Sequence, residues 1–186
     1  LLFQKKAEQA AKRLRAAAER CDDPDTRAWA RYYAGTAYQR SGDPQSAVGQ
    51  YEALVRELPQ HSLADDALLL EGVAQADAGD AEGRRTALQR LLTLYPKGDM
   101  RAEARYALAF EARARGDHAE ALDQLERLID EGSPEKAEGY EGRATYWRAR
   151  SLQALGKLDM AKAAFLDVAN ASPLSYHAQQ ALARLD

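Results

Sequence analysis

Small and apolar side chains recur along the chain at spacings of three and four, with polar residues between them, in stretches that end at a glycine or a proline. That period places the apolar positions on one face of an α-helix. Runs of β-branched residues, which would read as strands, are absent. The pattern therefore predicts an all-α protein. Four glycine-containing turns, Gly42-Asp43, Gly79-Asp80, Gly116-Asp117 and Gly156-Lys157, recur at spacings of 37, 37 and 40 residues, each between two helical patterns.

The register around these glycines is shared. Seven residues before them stand Gly35, Gly72, Ala109 and Ala149, small enough for two helices to approach closely. Five residues after them come Ala47, Arg84, Ala121 and Ala161, so Arg84 breaks a small-residue rule. Nine and twelve after come Tyr51, Leu88, Leu125 and Phe165, then Leu54, Leu91, Leu128 and Val168, which share one face of the second helix. Pro59, Pro96 and Pro173 end three hairpins, and Ser133-Pro134 takes that place in the third.

A helix-turn-helix unit repeated in this way resembles the tetratricopeptide family over roughly residues 26–173, in a degenerate version longer than the family's usual repeat. One hairpin cannot bury its apolar face alone, so the resemblance implies a right-handed superhelical solenoid with a concave and a convex side. Residues 1–25 then form an N-terminal capping helix, over about 5–20, or the second helix of an earlier repeat. Residues 26–186 form the repeat array, with a closing helix over 173–185. The chain lacks an initiator Met and opens inside a helical pattern, which reads as a fragment.

Composition narrows the function. Charged residues make up 30% of the chain yet nearly cancel, to a net charge of −3, so no strong overall field gathers nucleic acid or an anionic surface. One cysteine, Cys21, excludes an intrachain disulfide framework and a multi-cysteine zinc site, and reads as a small, partly buried side chain. No window is apolar enough for a membrane span.

Three phrases carry a second resemblance. "HSLADDALLLEG" opens one unit, with Ser62 as the expected N-cap and Asp65-Asp66 in the first turn. "TYWRARSLQALG" opens the last, and "SPLSYHAQQALARL" follows it. In that order they are similar to the superhelical region of bacterial soluble lytic murein transglycosylases, which precedes a lysozyme-like catalytic domain. His177 stands where that pattern has a second Tyr. The resemblance implies a periplasmic location and a parent enzyme that cleaves peptidoglycan glycan strands to 1,6-anhydro products, with a Glu followed by Ser as its acid/base. No Glu here is followed by Ser, so no catalytic residue, cofactor or metal is assigned. What the resemblance leaves to this chain is a scaffold whose partners are that catalytic domain and peptidoglycan or envelope proteins. The alternatives are an envelope interaction scaffold with no attached enzyme, and a cytoplasmic adaptor. The closing stretch is expected to be a helix with Ser172 as N-cap, Pro173 at its first position, and Leu174, Ala178, Ala181 and Leu182 on its packed face.

Candidate chemistry is sparse. Ser175 and His177 are two residues apart and point to different sides of a helix, so they cannot form a nucleophile-base pair. His61 and His118 have no suitably spaced partner ligands. Ten residues before the turn glycines lie Tyr32, Leu69, Tyr106 and Tyr146, with Trp29, Arg113, Arg143 and Arg150 on the same first helices. Rings stack on pyranose faces and Arg pairs with carboxylates, so a concave face carrying Trp29, Tyr32, Tyr106, Arg113, Arg143, Tyr146 and Arg150 would suit a sugar-peptide polymer. The simpler reading, which the repeat favours, is that the tyrosines pack between adjacent hairpins.

Overall fold

The computed structural model of the protein describes residues 2–132 and 142–185. Among them are ten helices and no strand: α1 (Leu2–Arg20), α2 (Pro24–Ser41), α3 (Pro44–Glu57), α4 (Ala64–Asp77), α5 (Ala81–Leu94), α6 (Arg101–Ala114), α7 (His118–Asp130), α8 (Arg143–Ala154), α9 (Leu158–Ala171) and α10 (Tyr176–Leu182). They fall into two compact units, Leu1–Arg101 and Ala102–Asp186. The expected hairpins are α2/α3 and α4/α5 in unit 1, and α6/α7 and α8/α9 in unit 2. Ser133 and Pro134, expected to end the third hairpin, lie outside the described residues.

All four turns are built alike. Gly42, Gly79, Gly116 and Gly156 have φ of 85°, 80°, 77° and 73°, a left-handed conformation that side chains with a Cβ resist. The following residue then donates its N–H back across the turn: Asp43 to Tyr38 O, Asp80 to Gln75 O, Asp117 to Ala112 O and Lys157 to Leu152 O, at 2.8–3.0 Å. In three turns that residue also caps the second helix. The carboxylates of Asp43, Asp80 and Asp117 accept from Ser46 N, Gly83 N and Glu120 N. Lys157 has no such cap to offer α9.

The small positions lie where helices cross. A Cβ on Gly35 would stand 2.5 Å from Tyr51 Cε1, and one on Gly72 3.5 Å from the backbone oxygen of Arg84. At that second crossing the neighbour is the Arg84 backbone, so the long side chain is accommodated partly exposed. Unit 1 buries Tyr51, Leu54, Leu68, Leu88 and Leu91 almost completely. Unit 2 gathers Tyr106, Leu125 and Leu128 in one cluster and Tyr146, Leu152, Phe165 and Val168 in another. At about 25 cal/mol per Å² of apolar surface, such clusters supply most of the drive to fold.

A polar device recurs with twice the hairpin period. Arg31 reaches Glu57 through Nε and Nη2, and Gln50 Oε1 at 3.1 Å through Nη1. Arg105 does the same with Glu131 and Gln124, each residue 74 positions further on. The hairpin between has Leu68, Ala87 and Leu94 at the matching positions.

Three local expectations need correction. Helix α1 starts at Leu2, earlier than expected. Ser62 does not cap α4: the helix begins at Ala64 without a side-chain cap, and the His61 ring accepts from Leu63 N at 3.1 Å. The closing helix spans Tyr176–Leu182 rather than 173–185, capped by Ser175, whose hydroxyl accepts from Ala178 N at 3.1 Å, while Ser172 closes α9. Ala178 and Ala181 are buried as expected, but Leu174 is 95% exposed and Leu182 44%. Leu174 precedes the helix and so lies off its packed face.

Candidate functional site

The first helix of each hairpin carries the candidate side chains, and the two units differ in kind. In unit 2, α6 and α8 present interleaved rings and guanidinium groups. Arg143 lies over Tyr106, with its guanidinium carbon 4.1 Å from the ring centroid, and 5.7 Å from that of Phe110. Arg113 lies over Trp147 at 4.7 Å and Arg150 over the same ring at 5.9 Å. Phe110 meets Trp147 edge to face at 5.0 Å. These distances suit cation–π attraction.

Burial divides the residues singled out from the sequence. Tyr106 and Tyr146 are core residues, 6% and 4% exposed. Tyr106 packs with Leu125, Leu128 and Ala144, and Tyr146 with Phe165 and His177, so the ring faces offered to a sugar are already covered. Arg113, Arg143 and Arg150 are partly exposed, as are Phe110 and Trp147. Phe110 and Trp147 were not among the candidates. A signal existed for Trp147, since nine residues before their turn glycines Tyr33 and Trp147 occupy one repeat position.

Arg113, Arg143 and Arg150 give this face its basic character. Arg113 donates to Ser151 Oγ at 2.9 Å and Arg150 to the Tyr146 hydroxyl at 3.4 Å, and among the described residues neither meets a carboxylate. Burial, and then the neighbouring Arg150, weaken the hold of Arg113 on its proton. A partly desolvated cluster of cations favours an anion that can accept several N–H bonds at once.

In unit 1, Trp29, Tyr32 and Tyr33 stand together on α2. Trp29 and Tyr33 stack at 5.5 Å with planes 22° apart, and Tyr32 meets both edge-on. Trp29 is 44% and Tyr33 50% exposed, while Tyr32 is half-buried. Burial, and then Asp66 on α4, raise the Tyr32 phenol. Asp66 is itself raised, by burial first and then by Asp65 and Asp99. Oxygens of these three carboxylates lie within 4.8 Å of one another. They adjoin a shallow cleft of about 530 Å³ between the loops that follow α3 and α5, lined by Pro59, His61, Tyr95 and Lys97. Gly98 is required there, because a Cβ would meet Asp65 Oδ2. Both His61 nitrogens are engaged, Nδ1 with Leu63 N and Nε2 with Asp25 at 3.3 Å. Cys21 is partly buried, as expected, with its thiol 3.6 Å from Asp23 O. No helix among the described residues is long and apolar enough to cross a membrane.

Comparison with known proteins bears on the fold. No curated protein sequence matches the chain. Two crystal structures of the nearly identical TPR-like repeats of a Podospora anserina kinesin light chain-type protein are similar at 18% identity. One, of a single-substitution variant, has a TM-score of 0.65 and covers 91% of this chain and 86% of its own. The other has 0.63 and covers 89% and 85%. The crystal structure of MamA protein is similar at 17% identity and a TM-score of 0.54, over 92% of both chains. At such identities the likeness is one of fold. The tetratricopeptide repeat model matches residues 29–61, 66–98 and 143–175, more than half of the sequence, and so the chain belongs to the tetratricopeptide repeat family.

Proposed function

We propose that this interaction scaffold is the non-catalytic helical-repeat module of a periplasmic soluble lytic transglycosylase, and that its α6–α8 face receives carboxylate-bearing peptidoglycan strands. The tetratricopeptide fold supports a protein-binding scaffold. The finer reading rests on the phrases "TYWRARSLQALG" and "SPLSYHAQQALARL" and on the chemistry of the face. One observation carries it: Arg113 and Arg150 flank Trp147 without a carboxylate partner among the described residues. A sugar-peptide polymer offers what this face lacks, pyranose surfaces for the partly exposed rings and carboxylates for the guanidinium groups. The reaction itself belongs to a lysozyme-like domain, because the Glu-Ser pair that the resemblance requires is not in this sequence.

Sedimentation with insoluble peptidoglycan tests the reading. Wild-type chain should co-sediment, and the double variant Arg113→Gln/Arg150→Gln should bind roughly tenfold more weakly, as expected from losing two charge-assisted contacts. Equal sedimentation of both would remove the guiding role. Binding to acidic peptides but not to peptidoglycan would favour an envelope scaffold that carries no enzyme.

A further inference from the structure

We propose that the aromatic face of α2, together with the neighbouring aspartates, is a cation-binding site fitted to a lysine or arginine side chain of a partner peptide. It involves none of the unit 2 residues and does not depend on the peptidoglycan reading.

Three rings fall within little more than one helical turn. Trp29 and Tyr33 are four residues apart and stacked, and Tyr32 closes on both from the side. Tyr51, Leu54, Leu68, Leu88 and Leu91 of unit 1 are almost completely buried, whereas these two outer rings keep about half of their surface in solvent. An exposed aromatic cluster of this kind marks a contact surface.

The charge beside it is mainly acidic: Arg27 and Arg31 of α2 are held by Cys21 O and by Glu57, and Lys97 lines the adjoining cleft. Asp25 lies one turn before Trp29 on the same face of α2, and its carboxylate is largely exposed. Asp66 holds on α4 the repeat position that Trp29 holds on α2, and interacts electrostatically with Tyr32. Asp65 and Asp99 bring two further carboxylates within 4.8 Å of Asp66. Arg40 stands three turns along α2 from Trp29.

This combination selects among ligands. Aromatic faces attract cations, and a carboxylate beside them supplies the ion pair. A bare metal ion would engage the carboxylates and gain little from the rings. An apolar peptide would use the rings but would have to desolvate the carboxylates without compensation. A muropeptide carboxylate would be repelled. A lysine or arginine side chain uses both halves, its alkyl stem along the rings and its charged head against Asp66.

Titration of the chain with capped hexapeptides of alternating glycine and lysine, or glycine and arginine, tests the site. The Trp29 indole N–H resonance is the readout, assigned by its loss in Trp29→Ala. The cationic peptides should shift that resonance, and raised salt should weaken the effect. Trp29→Ala and Asp66→Asn should each lower affinity roughly tenfold, and Asp66→Glu should restore most of it. Trp29 is half-exposed and Asp66 carries a carboxyl already disfavoured by burial, so both variants should fold, which circular dichroism checks. The proposal is overturned if the cationic peptides leave the resonance unmoved, or if both variants bind them as wild type does. It is equally overturned if a glycine–glutamate peptide or calcium alone produces the same shift.

Discussion

Glu71 shows how a single buried side chain can set a pH response. It is 3% exposed, with Oε1 paired to Arg90 at 3.0 Å and Oε2 buried without a hydrogen bond. Burial pushes its carboxyl up to about 7, against the pull of Arg90, and Glu52 adds to the rise. The folded value thus lies above the 4.5 of an ordinary carboxyl. Such a group favours folding fully below the unfolded value and loses that contribution as pH rises through the folded one. The difference corresponds to roughly 3 kcal/mol at most. Chemical denaturation of Glu71→Gln should therefore show a flatter stability profile between pH 4.5 and 8 than wild type, with the variant gaining relative stability at the alkaline end. Parallel profiles would mean that Glu71 is not the titrating group. None of this was legible in the sequence, where Glu71 is one carboxylate among 29 acidic residues. The Arg31 and Arg105 clamps escaped for a related reason: they repeat only in alternate hairpins, so a search for features shared by every unit passes over them.

At the scale of the element, the sequence was most informative where backbone geometry leaves little choice. Left-handed turns demand glycine and close crossings demand small residues, so both appear as fixed spacings. The cost of violating them can be read from space. Gly35→Ala would force the buried Tyr51 ring aside, and Ala149→Phe would overfill a fully buried position. Each should lower stability by about 1–3 kcal/mol. Gly49, mid-helix with nothing within 4 Å of its missing Cβ, is the internal control, and Gly49→Ala should raise stability by about 0.5–1 kcal/mol. Melting temperatures that moved together would dissociate the crossings from the fold. Caps were less legible because serine recurs at 172 and 175, and only packing of Ala178 and Ala181 decides which one starts the helix. The turn before α9 suggests a gain. Lys157 has φ −83° and ψ 63°, close to the −81° and 76° of the capping Asp117. Lys157→Asp should thus supply the missing cap and stabilise the protein by about 1 kcal/mol, seen as a raised denaturation midpoint.

Over the whole molecule a net charge of −3 conceals two faces of opposite character. Both are built on the first helices of hairpins and both use aromatic rings, but the residue thirteen before the turn glycine is Trp29 and then Asp66 in unit 1, against Glu103 and then Arg143 in unit 2. Averaged composition could not show this, and it led the sequence reading to treat aromatic and Arg positions as one continuous surface. The burial of Tyr106 and Tyr146 and the separate clustering of the two charge types argue for two recognition chemistries on one repeat scaffold. Their independence can be tested by crossing the variants. Arg113→Gln/Arg150→Gln should weaken binding of carboxylate-bearing ligands and leave lysine peptides unaffected, while Trp29→Ala/Asp66→Asn should do the reverse. Calorimetric titration of both ligand types into both variants supplies the four affinities. A ligand that lost affinity equally in the two variants would require a single composite surface, because substitutions with no shared partners otherwise act additively.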